Sequence, residues 1–258
     1  MHSRLLWLAG GCAVLLTACA TTSHEDRVRA ETHRQLGEIQ LARHEVELAI
    51  REYRNALELY QKDPETHFGV SEAYRRKGVF DLAEYHLQQT LRLDPANVDA
   101  RLNLGVVYLQ MERWQDAIRV NSTLIKDPTF YRPGRALVNR GWAHYKSGNA
   151  ELAQRDYSEA LKQGGARVYA HMNLGILYYS RGETVDAVNE FERVVELLQG
   201  RQPEMFGASE AEARFRLAQA HVKLGHHEKA IEHLKVAEER GGKGQWGRKS
   251  GEYLAVLR

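Results

Sequence analysis

Small residues recurring at one period constrain this chain more than any other feature. Alanine stands at Ala49, Ala83, Ala117, Ala153, Ala187 and Ala230, and Gly37, Ser71, Gly105, Gly141, Gly175 and Ala218 precede them at a constant offset. These two columns place repeat starts at Ala30, Pro64, Val98, Gly134, Val168 and Ala211, with steps of 34, 34, 36, 34 and 43 residues. A generic bundle of helices has no reason to hold that register. A chain of repeats does, because each unit buries its apolar face only against the next.

The unit is clearest from Val168 to Arg201. Apolar and small residues recur at helical spacing over Tyr169 to Ser180 and Val185 to Leu198, split by Arg181-Gly182-Glu183, which reads as a hairpin of two antiparallel helices. Gly175 and Ala187 carry no bulk while Tyr178 and Phe191 flank them, so the helices can approach closely with rings filling the sides. The pattern resembles the tetratricopeptide repeat (TPR) in its period, its Leu104-Gly105 and Leu174-Gly175 pairs, its central alanine, and Asp94-Pro95 closing the second copy. The resemblance implies an all-α fold, an α-solenoid of six helical hairpins over 30–63, 64–97, 98–133, 134–167, 168–210 and 211–244, with a capping helix in 245–258.

Composition narrows the partners. With 36 basic and 34 acidic residues the net charge is +2, which lacks the concentrated basic face that nucleic acid demands. The twelve histidines show no ligand spacing, His226-His227 falls in a turn, and neither a nucleophile elbow nor a glycine fingerprint occurs. The run from Gly241 to Ser250 fails as a phosphate loop because Arg248 separates Gly247 from Lys249. It reads instead as a loop into a short terminal helix, Gly251 to Leu257, covering the last hairpin. We therefore expect no enzyme, no cofactor, no metal and no small-molecule substrate.

The amino terminus stands apart. Leu5 to Leu16 is an apolar run behind Arg4, too short to span a bilayer and suited to a signal-peptide core over 1–18. It ends in Leu16-Thr17-Ala18-Cys19, which resembles a bacterial lipobox and implies a diacylglyceryl group on Cys19. Cys12 leaves with the signal, so the mature chain has no second cysteine for a disulfide. Ala20 rather than Asp follows Cys19, which by resemblance to Gram-negative sorting rules implies the outer membrane. The polar stretch from Ala20 to Ala30 (19–29 with the lipidated cysteine) reads as a flexible tether of at most ~36 Å.

Two linkers break the regular stack. The third copy carries Asn121 where others have a bulky apolar residue and Leu124 where a small one is usual, and is followed by Lys126 to Pro133, so a bend or loop is expected. Gly200 to Ser209 reads as an inserted loop, with Met205 and Phe206 either folded back or touching a partner.

With chemistry set aside, a surface remains. By resemblance to stacked hairpins of this type, the first helices line a groove. Its lining then comprises Leu102, Val106 and Leu109, then Val138, Trp142 and Tyr145, then Tyr169, Met172, Ile176 and Tyr179, then Phe215 and Val222. Aromatic and Met residues are those enriched at interface centres, although Trp142 and Ile176 also suit packing between repeats. Asn103, Asn139 and Asn173 form a polar rail suited to a peptide main chain or to bridging adjacent hairpins. The second copy offers Glu65, Glu72, Arg75 and Arg76, a charged end, and Leu41 and Phe68 are a competing site near the tether.

The stretch from Val98 to Gln163 is similar to the type IV pilus biogenesis lipoproteins of the PilF/PilW/Tgl family, on Tyr131, Pro133 and Arg135 after the third repeat and Asn139 and Gly141 opening the fourth. Gly134 and the 43-residue step depart from that pattern. The resemblance implies a pilotin: an outer-membrane lipoprotein that binds secretin subunits and promotes their insertion and multimerisation. A scaffold for periplasmic cell-wall hydrolases is the alternative.

Overall fold

The computed structural model describes residues 23–131, 133–164 and 166–257. Among them are thirteen α-helices and no strand: α1 (His24–Ala42), α2 (Val46–Leu59), α3 (Pro64–Lys77), α4 (Phe80–Leu93), α5 (Val98–Gln110), α6 (Trp114–Lys126), α7 (Gly134–Lys146), α8 (Ala150–Gln163), α9 (Arg167–Arg181), α10 (Thr184–Leu198), α11 (Pro203–Lys223), α12 (His227–Gly241) and α13 (Gln245–Leu257). Six hairpins stack in sequence, and substantial contacts join each helix only to its next or next-but-one neighbours.

The alanine column is the interhelix seam: all six alanines are 0% exposed. The small column faces the second helix of the same hairpin, and its size is matched there. Where the column is Gly, the partner is large or polar: a Cβ on Gly141 would lie 2.6 Å from Tyr157, and one on Gly175 would lie 2.5 Å from Phe191. Where it is Ser71 or Ala218, the corresponding partner is the smaller Leu87 or Leu234, both buried. In the third hairpin Asn121 takes the place of the ring, fully buried, donating to the Ala117 carbonyl at 2.8 Å.

A third column was read in the sequence only at Gly182. The residue closing each first helix has positive φ in all six hairpins: Gly78, Gly148, Gly182 and Gly225, but also His44 (63°) and Glu112 (57°). Glycine adopts this left-handed corner freely, whereas an L side chain there is strained by about 1–2 kcal/mol. The first and third turns thus hold their shape against local preference.

Three expectations need correction. Ser23 accepts a hydrogen bond from the Asp26 N–H, and Glu25 and Asp26 complement the helix start, so 24–30 form the first turns of α1 rather than a tether. Pro203 sits at the start of α11, where its missing N–H costs nothing, so the inserted segment is helix instead of loop. Phe206 folds back onto the Phe191 and Leu198 core while Met205 stays 70% exposed. The terminal helix spans Gln245–Leu257, in keeping with a capping helix in 245–258 and longer than the stretch from Gly251 to Leu257, because glycines at 241 and 247 let its start press against the end of α12. The expected break after the third hairpin is present: 127–131 is non-helical, and Phe130 packs beside Leu102, Leu124 and Ala136. Cys19 and the signal segment lie outside the described residues.

Polar pairs also join the two helices within a hairpin. His33 meets Glu52 at 2.9 Å and His171 meets Glu190 at 2.6 Å, whereas the same positions in the second hairpin hold His67 and His86, Nδ1 to Nδ1 at 2.9 Å. The Gln61 carbonyl accepts from His67 Nε2, so His86 Nδ1 is the donor to His67. Burial, then the neighbouring His67, pushes His86 down to about 4, and burial also lowers His67 against the opposing pull of the Gln61 carbonyl and Asp63. Tyr74, Tyr85, Arg54 and Glu58 complete the surroundings. A folded pKa below the unfolded value of ~6.5 makes this stabilisation complete above that pH and lost as pH falls toward the folded value. H86E recreates the His–Glu pair of the first and fifth hairpins, so its Tm should fall less than the native chain's between about pH 7 and about pH 4.5, at roughly 2–4 °C per kcal/mol retained. Parallel acid limbs in the two melting series would count against this origin.

Candidate functional site

The first helices α5, α7 and α9 enclose an open cavity of about 330 Å³ lined by Val106, Leu109, Arg135, Val138, Asn139, Trp142, Ala166, Tyr169 and Asn173. Seven of the residues expected in the groove meet there: Val106, Leu109, Val138, Trp142, Tyr169 and the asparagines Asn139 and Asn173. Neither asparagine amide is held by a side-chain hydrogen bond among the described residues, which leaves donors and acceptors for an incoming main chain. Tyr169 is 63% exposed, an unusual position for a ring with no partner to cover it.

Two further cavities continue the trough. One, of about 420 Å³, lies between α5 and the 127–131 linker and shares Arg135; its lining includes Leu102, Phe130 and Tyr131. The other, of about 360 Å³, lies toward α11 and shares Ala166 and Tyr169; Arg201 and Phe206 stand on its far wall, the guanidinium 5.7 Å from the ring centroid. Sequence reasoning missed Ala166 and Arg201 because they belong to connections between hairpins, where periodicity carries no information.

The rest of the expected lining goes elsewhere. Met172 is buried, and Ile176 and Tyr179 pack with it against α10 and α11, because the long α11 continues the core past the fifth hairpin. Tyr145 tilts against Trp142 at 5.4 Å but packs onto the Tyr157 core. Phe215 and Val222 join the core beneath α13, with Trp246 5.4 Å from the Phe215 ring, so the capping helix closes that end of the groove. Asn103 is half-buried and lines none of the three cavities.

The competing site is core as well. Leu41 is buried with Ala49, Ile50 and Tyr53, and Phe68 packs against the Leu87 and Leu104 cluster. The charged second hairpin neutralises itself: Arg75 and Arg76 both reach the Glu72 carboxylate, at 2.7 and 2.8 Å. Burial pushes the Glu72 carboxyl up, yet the two guanidinium hydrogen bonds outweigh it and its pKa is lowered.

Models of the tetratricopeptide repeat match residues 74–136, 138–203 and 211–239, together more than half of the chain. The chain is similar in fold to PilW, a widely conserved type IV pilus biogenesis factor, at TM-score 0.71 and 18% identity, covering 85% of this chain and 97% of that one. It is similar also to PilF of Pseudomonas aeruginosa, at TM-score 0.66 and 16% identity over 90% of this chain and 99% of that one. Among curated proteins, the CTR9 homologue of Arabidopsis thaliana is 26% identical over 131 residues, half of this chain but only 12% of that protein's length. A seam of six buried alanines, six hairpins in one register and the matched repeat models lead to one family: the chain is a tetratricopeptide repeat protein.

Proposed function

We propose that this chain is an outer-membrane lipoprotein acting as a pilotin: it holds secretin subunits in the groove of its third to fifth hairpins and promotes their insertion and multimerisation for type IV pilus assembly. The observation that carries the reading is the open cavity between α5, α7 and α9, apolar in Val106, Leu109, Val138 and Trp142 and bordered by unbonded amides. Such a surface is suited to a polypeptide rather than to a reacting small molecule, and repeats of this kind are protein-interaction scaffolds. The likeness to PilW and PilF over most of this chain, and the sequence similarity from Val98 to Gln163, support a partner in pilus biogenesis. A lipid on Cys19 would keep the groove at the membrane where such a partner assembles, raising its effective concentration.

The test is complementation of a deletion strain, reading heat-resistant secretin multimers on gels and the protein's own fractionation. The native chain should restore multimers in the outer membrane, while Cys19→Ser should leave a folded protein in the periplasmic fraction with fewer multimers. Secretin multimers at normal level in the uncomplemented deletion would overturn the pilotin reading.

A further inference from the structure

The trough has a charge pattern that the apolar lining alone does not explain. Neither α7 nor α9, the two helices at its centre, contains an aspartate or glutamate. Apart from Glu183 in the turn before α10, the acidic residues of those helix pairs sit on their second helices: Glu151, Asp156 and Glu159 on α8, and Asp186, Glu190, Glu192 and Glu196 on α10. The other arginines of α7 and α9 have partners: Arg140 grips Asp156 through two bonds at 2.6 and 2.8 Å, and Arg181 reaches Glu151 at 2.8 Å. Arg135 and Arg167 do not, and Arg201, in the connection after α10, meets only the Phe206 ring. All three are exposed, all three line the cavities, and none makes an ion pair among the described residues. Beside the central cavity Lys146 stands 6.0 Å from the Trp142 ring, adding a cation that makes no ion pair among the described residues. Asp99 of α5 lines the cavity that Arg135 shares with Leu102 and Phe130 but makes no ion pair among the described residues, so cations outnumber acids along the trough. Guanidinium groups without a carboxylate above an apolar floor complement a peptide that offers carboxylates next to apolar anchors.

We infer that the groove takes an acidic peptide segment, whose aliphatic or aromatic side chains enter the cavity around Trp142 while its carboxylates meet Arg135, Arg167 and Arg201. This rests on the groove reading above and gives the partner segment its chemistry. The asparagines Asn139 and Asn173 line the same cavity as Trp142 and Arg135, within reach of the segment's main chain. The outermost carboxylate contacts are solvated, so they contribute more to selection and association rate than to affinity.

Three short labelled peptides test the inference on the full-length protein by fluorescence anisotropy. One carries Leu and Phe among Asp and Glu, one has the same apolar residues among Lys, and one has the acids with Ser replacing the apolar residues. The first should bind about tenfold or more tighter than either other, and that preference should weaken as salt rises. Arg135→Glu with Arg167→Glu, both at exposed positions and checked for an unchanged melt, should cost the acidic peptide about tenfold and favour the lysine peptide. Equal binding of the acidic and lysine peptides, an unaffected double variant, or no binding of any peptide overturns the inference. Binding that is lost in Trp142→Ala but indifferent to peptide charge overturns the charge assignment alone. Indifference to Trp142→Ala removes the groove reading itself. Capture of anionic vesicles in place of the acidic peptide would make the arginine row a membrane contact and also overturn it.

Discussion

Ala187→Leu is expected to destabilise the fold by about 1–3 kcal/mol, since overpacking a filled seam forces rotamers and backbone to shift. Ala187 is 0% exposed and packs in one cluster with Phe191, Leu217 and Ala220, so added atoms have no void to enter. The opposite helix has no slack, because Gly175 already abuts the Phe191 ring. At roughly 2–4 °C per kcal/mol, the shift should be plain in a thermal melt. Val185→Leu on the same helix is the control: that position is 61% exposed, and surface changes stay within about 0.5 kcal/mol. Equal Tm values for the two variants would mean that the seam is not where the alanine column places it.

Trp142→Ala combined with Tyr169→Ala should reduce capture of the partner by at least tenfold, because an aromatic anchor at an interface centre is worth about 2 kcal/mol or more. Both residues line the central cavity, and the exposure of Tyr169 makes its loss harmless to folding. Met172 and Tyr179 are poor choices for this purpose, since they belong to the core toward α11. The measurement is co-purification of secretin from detergent-solubilised membranes, alongside circular dichroism. Unchanged capture by a folded double variant would remove this groove as the site. Leu41→Ala and Phe68→Ala, by contrast, should lower Tm and affect capture only through lost fold, both being packing residues.

The fold was legible because its determinant is small and periodic: six alanines and their glycine partners report the helix–helix seam directly from the residue string. The groove was legible at its centre, where Val106, Val138, Trp142 and Tyr169 come from adjacent copies, and illegible toward the last hairpin. Position within a repeat says which side of a helix a residue occupies. It does not say what will cover that side, and Met172 and Phe215 are covered by the lengthened α11 and by α13, the first extended beyond the 34-residue pattern and the second outside it. The tether was misread for another reason: HEDRVRA is polar all round, yet the Ser23 cap and the acidic first turn are enough to start α1 there. Arg135 was read only as part of the family resemblance, and Arg167 and Arg201 escaped notice, because the chain's net charge averages them away and only placing acids and bases on separate helices reveals the row.

The neighbour-only packing of the hairpins has a mechanical consequence. Among the described residues substantial contacts join only helices next or next-but-one in sequence, so tension applied between the ends is borne in series, each junction carrying the full load and yielding at its own threshold. The junction after the third hairpin, where 127–131 replaces a short turn, is joined by a longer strand of non-helical chain than its neighbours. A protein held at one end and pulled through its groove by a moving partner would therefore lengthen like a spring, hairpin by hairpin, and recoil quickly when released, since every lost contact is local in sequence.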